Sequence, residues 1–189
     1  LADMTMFSFH PVKHITAGEG GMITTDNPNY YQKLREFRNH GITRDEQRLA
    51  VSGQPWYYEM QSLGYNYRMT DLQAALGLNQ ANKIESFLAI RRAIAEKYNE
   101  AFREFDQITL PYQLSDTNSS WHLYVIKLQL DKLKATRTEI FQALQKENIG
   151  VNVHYIPVYF HPYYQQLGYH KGLCPNTETL YQAMITLPL

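Results

Sequence analysis

Two short apolar runs near the start of the chain flank a segment that ends in glycines. Residues 4–9 (MTMFSF) and 21–25 (GMITT) have the length and composition of β-strands. The segment between them contains Lys13, and its glycines allow a sharp turn of the backbone. The pattern predicts strand, loop and strand, which would hold Lys13 at a fixed point against the body of the protein.

A helix is predicted directly after the second strand. Asn27 can cap it, Pro28 suits its first position, and Gly41 follows as a stop signal. Apolar residues recur between these signals at helical spacing: Tyr31, Leu34 and Phe37. Residues 42–64 show no sustained period and predict a long loop. Such loops are usually functional or disordered, and the aromatic run at 56–58 argues against disorder.

Thr70 and Gln73 form a capping-box signature that opens the longest helical pattern of the chain. Its apolar positions are Leu72, Ala75, Leu76, Ile84, Phe87, Leu88, Ile94, Tyr98, Ala101 and Phe105. A continuous helix over 70–103 would be about 50 Å long, which exceeds one small domain. We therefore expect it to bridge two domains, or to break near Gly77 or within 79–82.

The second half of the chain predicts a small α+β domain. A strand is expected over 122–130, a helix from the capping box at Thr136 and Glu139, a strand over 149–153, and a short helix over 177–184. The first strand would turn four side chains to one face: Tyr124, Ile126, Leu128 and Leu130. The second would do the same with Ile149, Val151 and Val153.

Composition narrows the range of partners. Lysine and arginine total 18 and balance 18 acidic residues, so binding to nucleic acid or to an anionic membrane surface is not expected. Cys174 is the only cysteine, which fits a reducing compartment. The sequence contains no transmembrane-length apolar run, and a cytoplasmic location is the default. Residue 1 is a leucine, and the chain is expected to be a piece of a longer protein.

Several residue patterns suggest chemistry, and each has a plainer alternative. A loop lysine can serve in covalent catalysis when its surroundings lower its pKa, although many loop lysines are simply exposed. Asn66 and Arg68 alternate with aromatic residues and could offer an amide and a guanidinium to a phosphate, or form only a helix cap with a surface arginine. His154 and Tyr155 could meet a polar ligand or pack internally. The seven histidines lack the spacing of metal ligands, so no metal site is predicted.

Four ordered segments resemble the pyridoxal 5′-phosphate (PLP)-dependent sugar aminotransferases of the DegT/StrS family. They span nearly the whole chain: SFHPVKHIT with GEGG (8–21), GYNYRMTDLQAALG (64–77), WHLY (121–124) and VNVHYIP (151–157). The resemblance implies an α/β protein of PLP-dependent transferase fold type I, present as a C-terminal fragment. Residues 1–80 would be the tail of the large cofactor-binding domain, and residues 81–189 the bridging helix with the small α+β domain.

The resemblance also implies roles for individual residues. Lys13 would form the Schiff base with PLP and move the proton during catalysis, and Ser8 would bind the cofactor phosphate. The enzymes act as homodimers with sites at the subunit interface, so Asn66 would reach the phosphate in the partner's site and Arg68 the partner's substrate. Three more residues are expected on the substrate side: His10, His154 and Tyr155.

The expected reaction follows from the same resemblance. Family members transfer an amino group from L-glutamate to a nucleotide-linked keto sugar. The dehydratase branch carries histidine where Lys13 stands, so lysine here supports amino transfer. The loops at 56–59 and 153–165 are most similar to the branch that aminates UDP-linked 4-keto-6-deoxy sugars in pseudaminic acid and glycan biosynthesis. The alternatives are an aminotransferase for another nucleotide sugar, or a truncated, non-catalytic paralogue that acts as a binding module. The 189 residues alone are expected to be inactive.

Overall fold

A computed structural model describes residues 2–189, which form two compact units, Leu1–Ile84 and Glu85–Leu189. Helices and short strands mix in both units. No helix within residues 2–189 has both the length and the apolar character needed to cross a membrane.

Unit 1 begins with the predicted strand, loop and strand. Strands β1 (Thr5–Ser8) and β2 (Gly21–Thr24) pair antiparallel. Thr5 lies opposite Thr24, and Ser8 lies opposite Gly21. Every residue of both strands is exposed in this chain, and Met6 is 81% exposed. The prediction of a lysine loop between two strands is confirmed.

Helix α1 (Pro28–Phe37) follows with the predicted start signal. The Asn27 side chain accepts hydrogen bonds from two backbone amides, those of Asn29 at 2.9 Å and Tyr30 at 3.3 Å. The helix ends at Arg38. His40 and Gly41 then adopt positive φ angles of 59° and 69°, which turn the chain sharply.

The long loop predicted over 42–64 contains some regular structure. Strands β3 (Ile42–Thr43) and β4 (Glu59–Met60) pair antiparallel, and a 3₁₀ turn spans Glu46–Arg48. The Glu59 carboxylate closes the loop by accepting hydrogen bonds from the Ala50 amide at 2.7 Å and the Tyr57 hydroxyl at 2.8 Å. The hydrogen bond from Tyr57 to Glu59, together with partial burial, raises the pKa of Tyr57 above its ordinary value. Strands this short leave no visible period in the sequence.

The end of α1 fixes the segment that precedes the next helix. The Tyr65 amide donates to the Phe37 carbonyl at 2.6 Å, and the Tyr67 amide donates to the Arg38 carbonyl at 3.0 Å. The backbones approach so closely that a Cβ atom added to Gly64 would lie 2.0 Å from the Gly41 nitrogen. Only glycine at position 64 allows this approach.

Helix α2 (Asp71–Ala81) opens with the predicted capping box. The Gln73 amide donates to the Thr70 hydroxyl at 3.3 Å, and the Gln73 side chain accepts from the Thr70 amide at 2.9 Å. Asn82 caps the helix, and α3 (Ile84–Phe102) begins two residues later. The helix is interrupted at 82–83, which begins within the predicted range 79–82, so the prediction of a break there is confirmed and no continuous helix runs over 70–103.

Unit 2 contains a three-stranded antiparallel sheet. Its strands are β5 (Ile108–Thr109), β6 (Tyr124–Leu128) and β7 (Met184–Leu187), with β6 in the middle. Tyr124, Ile126 and Leu128 are buried as predicted, whereas Leu130 is 40% exposed. The prediction for Leu130 is wrong because the strand has already ended and a 3₁₀ turn begins there.

Helices cover this sheet and complete the core of unit 2. Helix α4 (Arg137–Lys146) starts with the predicted capping box of Thr136 and Glu139, and α5 (Pro162–Gln166) and α6 (Pro175–Ala183) follow. The core joins α3 and α4 to the strands through Ala95, Tyr124, Ile126, Leu128, Val151, Ile185 and Leu187, with Ile140, Phe141 and Leu144 partly buried against them.

A second prediction for unit 2 is wrong, and one of its strands was not predicted. Residues 149–153 form no strand: Asn152 makes only an isolated bridge with Thr186, and Ile149 is exposed. The Val151 amide instead donates to the nearby Ile149 carbonyl at 2.9 Å, a local turn that interrupts extended pairing. The third strand is β7, which the sequence did not reveal. All four of its residues are buried, and a strand buried on both faces shows no alternation.

The first prediction concerns the backbone contact at Gly64. Gly64→Ala should lower the free energy of unfolding by at least ~2 kcal/mol, because the added methyl group would overlap backbone atoms. In hydrogen exchange, the amides of Tyr65 and Tyr67 should exchange faster as the segment leaves α1. Gly150→Ala is the matched control, since nothing lies within 4 Å of its added Cβ. Unchanged protection in Gly64→Ala would contradict this packing.

The second prediction concerns Tyr124, which is fully buried and donates to Asn99 Oδ1 at 2.7 Å. Burial, with a smaller contribution from the Glu96 charge, raises its pKa from 10.0 to about 12. Its neutral form is therefore favoured in the folded state. The contribution of Tyr124 to the free energy of unfolding is fully present below pH 10. It falls as the pH rises from 10 towards 12, by about 1.4 kcal/mol per pH unit at most.

Urea unfolding between pH 7 and pH 12 would measure this effect. Tyr124→Phe should cost ~1 kcal/mol at neutral pH through the lost hydrogen bond and should flatten the alkaline decline. Tyr112→Phe, at a position that is 87% exposed, should change neither the stability at neutral pH nor the alkaline decline. An alkaline decline of equal slope in Tyr124→Phe would show that another group causes it.

Candidate active site

The loop that carries Lys13 is closed by hydrogen bonds within its own backbone. The Phe9 amide donates to the Gly20 carbonyl at 2.9 Å, and the Phe9 carbonyl accepts from the Ala17 amide and from the Thr16 hydroxyl, each at 3.0 Å. Inside this closure, the Lys13 amide donates to the His10 carbonyl at 3.0 Å. The lysine is half-buried. Its backbone position is therefore fixed by the loop itself.

Contacts with the segment 64–77 also support the loop that carries Lys13. Ala17 is only 1% exposed, and a Cβ added to Gly77 on α2 would lie 3.5 Å from its methyl group. Gly20 has a φ of 152°, and a Cβ added there would lie 2.9 Å from Met69 Sδ. The segments 8–21 and 64–77 are thus in direct contact. A Cβ at Gly77 would make ordinary contact with Ala17, whereas one at Gly20 would require the Met69 side chain to shift.

Ser8 and His10 lie on the same loop as Lys13. Both are exposed, and the His10 amide donates weakly to Ser8 Oγ at 3.4 Å. His10 Nδ1 accepts from the Val12 amide at 3.4 Å, and its Nε2 lies 3.8 Å from Glu19 Oε1. Ser8 Oγ retains a proton to donate to a ligand, since it acts as an acceptor in this bond.

Asn66 and Arg68 lie on the segment held by α1. The rings of Tyr65 and Tyr67 stack with centroids 4.9 Å apart, and in extended chain the alternating residues point the other way. Arg68 Nη1 donates to Asn39 Oδ1 at 2.7 Å, and Asn66 forms a backbone bridge with the same asparagine. Asn39 therefore positions both residues. The role of Asn39 is not visible in the sequence, because a contact across 29 positions leaves no local signal.

His154 and Tyr155 belong to unit 2. His154 Nδ1 lies 3.0 Å from Thr186 Oγ1, and the two neighbouring rings meet edge to face at 4.5 Å. Tyr155 is 65% exposed, whereas His154 is half-buried. The exposed phenol is available to a ligand, and the histidine is already oriented by the last strand.

The WHLY segment has a structural role. Trp121 packs against Tyr124 with ring centroids 5.5 Å apart, and its carbonyl accepts from Arg91 Nη1 at 3.2 Å. This segment leads into β6 and contributes to the core of unit 2.

The groups around Lys13 fit PLP in two respects. A primary amine can bond to the cofactor aldehyde, and the hydroxyl of Ser8 can donate to a phosphate oxygen. Nothing lies within 4 Å of a Cβ added to Gly18, so the loop leaves open space at this position. Metal ligation finds no such support among residues 2–189, where no three His, Cys, Asp or Glu side chains cluster.

Comparison with known proteins identifies relatives along the full length of the chain. Protein MJ1066 of Methanocaldococcus jannaschii is 43% identical over 100% of this chain and 49% of its own length. The spore coat polysaccharide biosynthesis protein SpsC of Bacillus subtilis is 41% identical over 100% and 49%. The UDP-4-amino-4,6-dideoxy-N-acetyl-beta-L-altrosamine transaminase of Campylobacter jejuni serotype O:2 is 37% identical over 99% and 47%.

Solved structures also match this chain over nearly its whole length. The PLP form of the sugar aminotransferase Spr1654 from Streptococcus pneumoniae superposes with a TM-score of 0.84 at 33% identity, over 100% of this chain and 47% of its own. Helicobacter pylori PseC, an aminotransferase of pseudaminic acid biosynthesis, gives 0.86 at 32% identity, over 99% and 48%. This chain spans about half the length of the curated relatives it matches.

These comparisons test the expectations from sequence. The predicted α/β fold of PLP-dependent transferases is confirmed by the structural matches, and PLP as the cofactor is confirmed at the level of the family by the PLP and PMP forms of Spr1654. The sequence profile of the DegT/DnrJ/EryC1/StrS aminotransferases matches residues 1–189. The chain therefore belongs to the DegT/DnrJ/EryC1/StrS aminotransferase family.

Proposed function

We propose that this chain is the lysine-bearing half of a PLP-dependent aminotransferase that uses L-glutamate to aminate a UDP-linked 4-keto-6-deoxy sugar. The observation that carries the proposal is the Lys13 loop, closed on the Phe9 carbonyl and supported through Ala17. A lysine that bonds to a cofactor must return to one position in every cycle. A closed and supported loop meets that requirement.

Each residue of unit 1 then has a defined task. Lys13 Nζ would bond to the carbon of the cofactor aldehyde, whose oxygen leaves as water, and the freed amine would accept and return the proton that moves during amino transfer. Ser8 Oγ donates to the cofactor phosphate. When bound, PLP supplies the electron sink that allows an amino group to leave one carbon and join another. The chain supplies position and a proton carrier.

Asn66 and Arg68 are proposed to act in the site of a partner subunit in a homodimer. Both are exposed in this chain, and Asn39 holds them in place. Exposed polar groups with a fixed orientation suit a ligand that another chain binds. His10, His154 and Tyr155 are proposed to contact the sugar substrate. We further propose residues 1–80 as large-domain tail and 81–189 as bridging helix and small domain.

The choice of sugar rests on two relatives. The Campylobacter jejuni relative is an altrosamine transaminase and PseC belongs to pseudaminic acid biosynthesis, at 37% and 32% identity. SpsC is more similar, at 41%, and its name refers to spore coat polysaccharide. This observation favours a second candidate, an aminotransferase for a different nucleotide-linked keto sugar. Product analysis with a panel of UDP-linked and dTDP-linked keto sugars separates the two.

The third prediction tests the role of Lys13. In the full-length protein, added PLP should give the visible absorbance band of lysine-bound cofactor, and borohydride reduction followed by peptide mass spectrometry should place the label on Lys13. Lys13→Ala should abolish both signals. Lys33→Ala, which removes an exposed lysine of α1, should retain both.

The same assay separates the proposal from the alternative of a binding module. A label on another lysine, or no label in a folded full-length protein, would contradict the proposed function. The 189 residues expressed alone should give no Lys13-dependent band, because the family's remaining cofactor contacts are expected in the other half. A strong band from this chain alone would show that the other half is dispensable for cofactor attachment.

A further inference from the structure

Unit 2 contains an open cleft that is lined by helix α3 on one side and by the segment between β5 and β6 on the other. We call it the α3 cleft. Its volume of about 420 Å³ is within the range of small-molecule sites. Its lining combines two opposite charges, Arg92 and Glu96, with three apolar side chains, Leu110, Pro111 and Trp121. The proposed function uses none of these residues.

Arg92 is half-buried and is fixed through one of its nitrogens. Its Nε donates to the Ser119 carbonyl at 3.2 Å. The segment that carries Ser119 is itself held, because the Ser119 amide donates to Gln113 Oε1 at 3.1 Å and the Trp121 amide donates to Ser119 Oγ at 3.0 Å. A guanidinium bound at Nε keeps the N–H donors of its outer nitrogens. Arg92 therefore offers a positioned cation to the cleft.

Glu96 is oriented by a short chain of hydrogen bonds that begins in the core of unit 2. The buried Tyr124 hydroxyl donates to Asn99 Oδ1 at 2.7 Å, and Asn99 Nδ2 donates to Glu96 Oε2 at 3.3 Å. Asn99 is neutral, so this contact leaves the charge of the carboxylate in place. Glu96 is exposed, and a carboxylate that accepts one hydrogen bond keeps most of its acceptor capacity.

Arg92 and Glu96 do not neutralise one another. Among residues 2–189, neither side chain belongs to an ion pair closer than 4.0 Å. The two residues are four positions apart on α3, and an arginine that precedes a glutamate at this spacing pairs less favourably than the reverse order. The cleft therefore presents a cation and an anion one helical turn apart, each held by neutral groups.

A purely structural explanation covers only part of this arrangement. The bond from Arg92 to Ser119, like that from Arg91 Nη1 to the Trp121 carbonyl at 3.2 Å, fastens the loop to α3. That task requires no carboxylate at Glu96. The helix dipole acts within the first and last turns, whereas both charges lie inside α3. Solvation explains an exposed glutamate, but not its orientation from the core beside an arginine that lacks a counterion.

Trp121 supplies an aromatic wall at an energetic cost. Its φ of 49° is uncommon for a bulky residue, and such backbone strain is often found at ligand sites. The ring packs against Tyr124 with centroids 5.5 Å apart and also lines the cleft with Leu110 and Pro111. Packing on Tyr124 offsets part of the cost. The left-handed backbone thus places an apolar surface beside the two charges.

We propose that the α3 cleft binds a small α-amino acid with an apolar or aromatic side chain. The ligand's carboxylate accepts hydrogen bonds from the outer nitrogens of Arg92, and its ammonium donates to the Glu96 carboxylate. Its side chain lies against the apolar wall of Leu110, Pro111 and Trp121. The inference concerns unit 2 alone and does not rest on the proposed function.

The pair of charges determines the class of ligand. An α-amino acid carries its ammonium and its carboxylate on one carbon atom, within about 3 Å of each other, which suits opposite charges one helical turn apart. A simple anion would be repelled by Glu96, and a simple cation would be repelled by Arg92. The cleft therefore selects for the zwitterion through repulsion as well as attraction.

Isothermal titration calorimetry on the purified natural polypeptide tests the proposal with four probes: L-phenylalanine, L-leucine, 3-phenylpropionate and 2-phenylethylamine. The two amino acids should bind. The other two probes each lack one of the charges and should bind about tenfold more weakly than L-phenylalanine.

Variants locate the binding. Arg92→Gln and Glu96→Gln should each weaken L-phenylalanine binding roughly tenfold. Arg103→Gln and Glu100→Gln, which remove exposed charges near the end of α3, are the matched controls and should bind L-phenylalanine as the parent does. Lys13→Ala should leave this affinity within about twofold, because the ligand does not bond to a lysine-bound cofactor.

Two gains of affinity separate a lost contact from a misfolded variant. Glu96→Gln should bind 3-phenylpropionate more tightly than the parent does, because the charge that repels an anion is gone. Arg92→Gln should bind 2-phenylethylamine more tightly for the corresponding reason. Loss of folding would weaken every probe and would produce neither gain.

Any of four results would overturn the proposal. The first is no detectable binding of either amino acid at about 10 mM, a concentration that reveals a Kd near 1 mM. The second is 3-phenylpropionate or 2-phenylethylamine binding the parent as tightly as L-phenylalanine does. The third is Arg92→Gln and Glu96→Gln behaving as their controls do. The fourth is loss of L-phenylalanine binding in Lys13→Ala.

Discussion

The site depends on the contact between the lysine loop and the segment that leads into α2. Ala17 is buried against Gly77, and Gly20 lies against Met69. In the same loop, the Phe9 carbonyl accepts two hydrogen bonds. Both strands that carry the loop are exposed in this chain. Its position is therefore set by small residues that allow close approach, which explains why two separate sequence motifs act as one structural element.

A second constraint links that element to the end of α1. The end of α1 binds residues 64–68 through backbone hydrogen bonds, and Asn39 at the same turn holds Arg68. The segment that supports the lysine loop also carries the polar residues proposed for a partner's site. Residues 64–77 of unit 1 thus support the lysine loop and also carry the residues proposed for the partner's site. A change at Gly64 would affect both.

The sequence predicted the features that depend on neighbouring residues. The Asn27 cap and the capping boxes at Thr70 and Thr136 appear in the structure because each is completed within three or four residues. The two apolar runs also predict the lysine loop, and the resemblance to a family supplies its candidate residues, whose roles stay predictions. In contrast, β7 is buried on both faces and has no period of two, so no strand is predicted there and only Met184 lies within a predicted element, the helix over 177–184.

Features built from distant residues could not be predicted. Asn39 meets Arg68 across 29 positions, and one cleft of unit 1 is lined by arginines from three separate segments: Arg35, Arg38, Arg44 and Arg68. Single arginines scattered over a neutral chain carry no signal until the fold places them together. The same holds for Leu130, since the length of β6 is set by pairing with β5 and β7 and not by its own alternation.

The most direct test of the central claim is a crystal structure of the full-length protein with PLP. The account predicts continuous electron density between Lys13 Nζ and the cofactor, Ser8 Oγ within hydrogen-bonding distance of its phosphate, and the loop still packed through Ala17 on Gly77. Cofactor bound to a different lysine, or a lysine loop detached from α2 in the loaded protein, would contradict it.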